Sequence, residues 1–272
     1  MYALGAPHRR RTAALLADTP LVLLLVLGAI VVVAWTLAAA GVVPERLARG
    51  VTAGGAQGAL LGTAVAWAVS RPDARAAFLP FGIATVACGG AVAASMIPFG
   101  AAAYLLAPLW LWRRRARLGG LCLDAPHAAR FTVLGVALGA VLGVHLAITA
   151  SLTLGYRVGR PAVSVLAPWL AYDAGANVLA AECFFRGALF DRAQRRWSFG
   201  AAAAVATAAC LARYFVDPLL PRTLEMAAGA AFYVGLLSLG NCWLYWRTGS
   251  IVPGLCAGLV FFAMYRLLHV VR

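Results

Sequence analysis

Glu182 and Arg186 stand four residues apart. That spacing puts a carboxylate and a guanidinium on one helical face, where they can pair. A carboxylate held away from water can also serve as a general base, taking a proton from a positioned water. Arg213 and Asp217 repeat the spacing further along. Asp173, Glu225, Arg266, His145 and His269 complete the ionisable residues within or beside apolar runs. In lipid, such groups face the protein interior and are functional candidates by default. Arg213, Asp217, Glu225, Arg266 and His269 lie near the ends of apolar runs and are expected to snorkel to the interface. Glu182 follows the largely apolar stretch 174–181 and has Arg186 as its near partner, so it is the leading candidate. Asp173 precedes it by nine residues, half a turn out of phase on an ideal helix, so the two are expected on opposite faces.

Cysteine and histidine chemistry is not indicated. Cys88, Cys122, Cys183, Cys210, Cys242 and Cys256 form no C-x-x-C pair, and most fall inside apolar runs, where cysteine behaves as a small hydrophobe. His8, His127, His145 and His269 are dispersed, with no two at metal-ligand spacing on one helix turn. No metal and no cofactor is expected.

The elements that must position Glu182 are set by composition. Of 272 residues, 63% are hydrophobic and 12% charged, with a mean hydropathy of +0.86. A soluble domain is about half apolar and about a quarter charged. A core of this size cannot hide the excess, so lipid is the expected solvent, and soluble enzymes and secreted scaffolds are excluded. The net charge of +14 comes from arginines between apolar runs, with no lysine, and there is no basic domain outside the membrane to carry a nucleic-acid role. No nucleic acid is expected; the lipid bilayer is. Arginine-only usage with abundant Ala and Gly matches the bias of a GC-rich, bacterial genome.

A crossing helix needs about 20 apolar residues. Candidate spans are 20–41, 52–69, 77–96, 98–112, 131–154, 163–190, 199–216, 223–246 and 250–269. The stretch 77–112 is too long for one crossing and is expected to break at Pro98, with Gly100 loosening the chain. The expected fold is therefore an all-α, polytopic membrane bundle of eight or nine helices. Residues 1–19 form a basic cytoplasmic N-terminus, residues 20–160 a first set of transmembrane helices and residues 161–272 a second. Arg9-Arg10-Arg11 precedes an apolar run too long for a cleavable signal peptide. With nine spans, fourteen arginines (9–11, 71, 75, 113–115, 117, 130, 192, 195, 196 and 247) fall on the N-terminal side and six (46, 49, 157, 160, 222 and 272) opposite. That asymmetry predicts a cytoplasmic N-terminus, in a bacterial inner membrane. Trp110, Trp112, Trp197, Trp243 and Trp246 fall near span ends, as interfacial tryptophans do. Gly58 and Gly62, Gly254 and Gly258, and the tandem Gly135, Gly139 and Gly143 make small-residue faces, expected to serve packing within one bundle rather than a dimer.

Two segments of the C-terminal third carry a resemblance. Ala181-Glu182-Cys183-Phe184-Phe185-Arg186-Gly187, with the basic Arg192-Ala193-Gln194-Arg195-Arg196 after it, is similar to an E-E-x-x-x-R motif continued as F-R-G. Tyr245-Trp246-Arg247-Thr248-Gly249-Ser250-Ile251-Val252-Pro253-Gly254 is similar to an R-T-G-S-hydrophobic turn entering a last motif helix. In that order, these resemble the CPBP family of intramembrane proteases, which includes the CAAX prenyl endoproteases and the bacteriocin self-immunity proteins. The resemblance covers residues 165–268 and makes 161–272 the CPBP-like part of the chain. It implies a site in which the first Glu and a His on the next helix activate a water, completed by a later His-x-x-x-Asn. Here those four positions hold Ala181, Tyr214, Gly258 and Phe262. Ala, Gly and Phe neither move a proton nor coordinate anything. The retained Glu182 and Arg186 correspond to an orienting pair, so the implied site is degenerate.

The expected function is accordingly a non-catalytic CAAX-protease-like membrane protein, a binding or accessory subunit with a membrane-protein partner or a membrane-embedded substrate. The alternative is an active intramembrane endopeptidase with a rearranged site using Glu182, helped by Asp173 or His145. A transporter would want polar residues along broken helices, for which Pro98 and Pro253 are the hints.

Overall fold

The computed structural model describes residues 19–68, 82–85, 87, 89, 103–114, 123, 129–159, 161–217 and 223–270. The arginine-rich N-terminus, most of the expected span 77–96 and the expected break at Pro98 lie outside these.

The helices are α1 (Leu21–Ala39), α2 (Glu45–Ala68), α3 (Leu106–Arg114, entered through a 3₁₀ turn at Ala103–Leu105) and α4 (Ala129–Leu154). Next comes α5, which opens at Val163–Tyr172, runs on through π-helical segments at Asp173–Ala180 and Glu182–Phe190, and closes at Asp191–Gln194. The last three are α6 (Phe199–Phe215), α7 (Leu224–Thr248) and α8 (Val252–Tyr265). Among the described residues, three helices, Leu21–Ala39, Ala129–Leu154 and Ala227–Thr248 within α7, are long and apolar enough to cross a membrane. Large apolar side chains stand outward along α1 and α4, among them Leu25, Val32, Val133 and Val141, as a lipid-facing surface requires. Not every boundary follows the expected spans. The last helix stops at Tyr265, short of 269, and Leu268–Val270 (β2) pairs antiparallel with Tyr156–Val158 (β1).

The small-residue faces pack within the bundle. A Cβ on Gly135 would strike the carbonyl oxygen of Pro253, one on Gly139 that of Ala257, and one on Gly143 the Met264 side chain. Helix α8 therefore lies backbone to backbone on α4. Gly58 and Gly62 similarly receive Leu27 and Leu23 of α1.

The turn into α8 explains its own sequence. Gly249 takes φ +66°, open to glycine at little cost, and its N–H donates to Tyr245 O at 2.7 Å, ending α7. Thr248 Oγ1 donates to Leu244 O and accepts from the Ser250 N–H, while Ser250 Oγ accepts from the Val252 N–H. Pro253, in the first turn of α8, needs no donor there.

Candidate functional site

The π-helical run of α5 carries Glu182 and Arg186 into the bundle. Arg186 Nη1 lies 3.3 Å from Glu182 Oε1, with side chains only 3% and 6% exposed. From α7, Asn241 Nδ2 donates to the same Oε1 at 2.8 Å and to Gly254 O at 3.3 Å. A Cβ at Gly254 would fall 2.5 Å from Glu182 Oε2, so glycine there is what lets the carboxylate rest against α8. Arg186 Nη1 also reaches Cys210 Sγ of α6 at 3.8 Å. Four helices thus meet at one ion pair. Among the described residues, Glu182 Oε2, Arg186 Nε and Asn241 Oδ1 are buried without a partner.

Of the four positions where the resemblance implies Glu, His, His and Asn, three are apolar in type and the fourth is Tyr214. Ala181, Tyr214 and Phe262 are buried in one cluster with Val178, Phe185 and Phe261. A Cβ on Gly258 would sit 3.1 Å from both Val178 methyls, so Val178 already fills the space over that glycine. His145 reaches the edge of this cluster, its Nδ1 2.8 Å from the OH of Tyr233, between α4 and α7. Among the described residues, no three His, Cys, Asp or Glu converge as metal ligands would.

A second ionic cluster corrects two expectations. Arg213, Asp217 and Arg266, expected to snorkel, are instead drawn into one network with Asp173. Arg266 grips Asp173 with two bonds, Nε to Oδ2 at 2.6 Å and Nη2 to Oδ1 at 2.8 Å. Asn177 Nδ2 donates to Asp173 Oδ1 and its Oδ1 accepts from Arg213 Nη1, both at 2.7 Å. Arg213 Nη2 lies 3.2 Å from Asp217 Oδ2, which also accepts from Tyr172 OH at 2.9 Å. Asp173 is 1% exposed. Glu225, by contrast, is exposed near the start of α7, as expected.

Nor do Asp173 and Glu182 face opposite ways. Asp173 meets Arg266 just past the end of α8, Val178 meets Gly258, and Glu182 meets Gly254. All three face α8, which runs antiparallel. The widened i→i+5 turns are the reason: with more than four residues per turn, nine residues come to about two whole turns rather than two and a half.

Asn241 and Asn177 were not singled out from sequence. The signal was there in each, a lone amide inside an apolar stretch, since such side chains seek partners across helices in lipid.

A membrane-type helical fold built around a buried Glu-Arg pair defines the class. Within it, residues 163–264 match the family model for type II CAAX prenyl endopeptidase Rce1-like proteins. That segment runs from the first residue of α5 to near the end of α8 and holds both clusters except Arg266. No curated protein and no solved structure matches the chain.

Proposed function

We propose that this chain is a multi-pass membrane protein of Rce1-like descent that does not cleave peptides and serves as a binding or accessory subunit for a membrane-embedded partner. Eight or nine crossings, a cytoplasmic N-terminus and a bacterial inner membrane belong to the same reading. The observation that carries it is the filled site. Ala181, Tyr214 and Phe262 share an apolar cluster with Val178, and Val178 covers Gly258, so the positions that would shuttle a proton hold no base. Proton transfer by a positioned base is worth about 10²–10⁴ in rate, and it is these groups that are replaced.

The rearranged endopeptidase remains the second reading because Glu182 Oε2 has no partner among the described residues and could accept a proton from water. Against it, Oε1 is engaged by both Arg186 and Asn241, and among the described residues no imidazole is bonded to the pair. The test is purified full-length protein incubated with a farnesylated C-terminal CAAX peptide and with a transmembrane peptide. No cleavage above that of Glu182→Gln is expected. Cleavage by the unmodified protein that Glu182→Gln abolishes would overturn the proposal.

A further inference from the structure

We infer that the ends of α4 and α7 form a binding site for an anionic phospholipid, with Arg130 and Arg247 holding the headgroup phosphate. Both arginines are exposed, and neither has a carboxylate partner among the described residues. Each is held by aromatic faces instead. Arg247 Cζ lies 5.7 Å from the Trp243 ring centroid and 5.6 Å from that of Trp246, while Arg130 Cζ sits 4.9 Å over Phe131. Phe131 and Trp243 meet edge to face at 6.3 Å, so the two arginines rest on one connected set of aromatic rings.

A cation–π contact leaves guanidinium N–H donors available to an anion. Such donors match the oxygens of a phosphate, and two guanidiniums carried on one aromatic cluster can share a headgroup. Trp243 and Trp246, 39% and 40% exposed, are amphipathic rings of the kind that settle at headgroup level. Below them, exposed Val133 and Leu134 on α4 and Leu239 on α7 continue toward the bilayer centre as an apolar strip on which an acyl chain can lie. Charge above and hydrocarbon below select a lipid over a soluble anion. A basic cluster at a helix-pair end is a general basis for anionic-lipid recognition.

The test uses the full chain in zwitterionic detergent, with its thermal midpoint followed as lipid is added. Phosphatidylglycerol is expected to raise the midpoint saturably, and phosphatidylcholine and soluble glycerophosphate are expected to leave it unchanged. Arg130→Gln with Arg247→Gln should weaken the phosphatidylglycerol response about tenfold or more. If the double variant does not fold, Arg247→Gln alone should weaken it severalfold. An equal response to phosphatidylcholine, a response to glycerophosphate, or an undiminished response in the variants would overturn the inference.

Discussion

The two ionic clusters on the α8-facing side of α5 are built from similar parts and end in different states. Around Asp173 the bonds close on themselves, with both carboxylate oxygens taken by Arg266 and one shared with Asn177, which passes the chain to Arg213 and Asp217. Around Glu182 a single oxygen serves both Arg186 and Asn241, and three polar atoms are left without partners among the described residues. A satisfied network holds helices in register. A half-satisfied one is worse than an apolar core, because each open group has lost its water. The Asp173 cluster is therefore a clamp joining α5, α6 and the end of α8. The Glu182 cluster keeps hydrogen-bonding capacity that packing alone does not need.

The largest effect should come from breaking the ion pair with fewer supports. Arg186→Met would leave the Glu182 carboxylate with Asn241 alone, and stranding a buried charge costs about 3–5 kcal/mol. Denaturant titration in detergent, or the thermal midpoint, would register it. A loss below 1 kcal/mol (roughly the level of a surface pair) would mean that Glu182 has access to water and that the cluster is not sealed. Asp173→Asn comes next. It keeps the shape but removes the charge that Arg266 holds, at about 1.5–3 kcal/mol, the worth of bonds to a charged group. Arg266 is 17% exposed and can turn toward the interface, which is why the smaller figure applies.

What the sequence disclosed follows the same division. The pair Glu182–Arg186 was readable because i,i+4 spacing survives in either helix type. The glycine seam of α4 was readable as internal packing, since small residues at one-turn intervals have little other use in a single bundle. The common face of Asp173 and Glu182 was not, because a phase computed at 3.6 residues per turn fails once π turns intervene, and no residue pattern announces those turns. The Arg266–Asp173 bond joins residues 93 apart and depends on the antiparallel docking of α8. The β1–β2 ribbon escaped for a related reason: three residues at each end of a long connection make too short a pattern to read.

Asn177→Ala separates a clamp from a pair of independent bridges. It removes the amide that links Asp173 to Arg213, for about 1–2 kcal/mol in a membrane setting. In a double-mutant cycle, Asp173→Asn and Arg213→Gln should be non-additive with Asn177 present and close to additive without it. Additivity in both backgrounds would show that the two ion pairs do not share a network.

Asn241→Leu should have the smallest effect on stability, and the contrast with Asn177→Ala is what makes it useful. Asn241 gives two bonds, to Glu182 Oε1 and Gly254 O, but leaves its own Oδ1 buried and open. Leucine of similar size removes the bonds and the open acceptor together. Loss of the open acceptor offsets part of the two lost bonds, and Glu182 Oε1 keeps Arg186, so a net loss under about 1 kcal/mol is expected. The same amide type at Asn177, with both ends engaged, has no such offset. If Asn241→Leu proves as costly as Asn177→Ala, the Glu182 cluster is as closed as its neighbour and its polar atoms serve the fold. If it is cheap, the amide is dispensable for folding, and co-purification of a membrane partner with the wild-type chain but not with the folded variant would give it a role in binding.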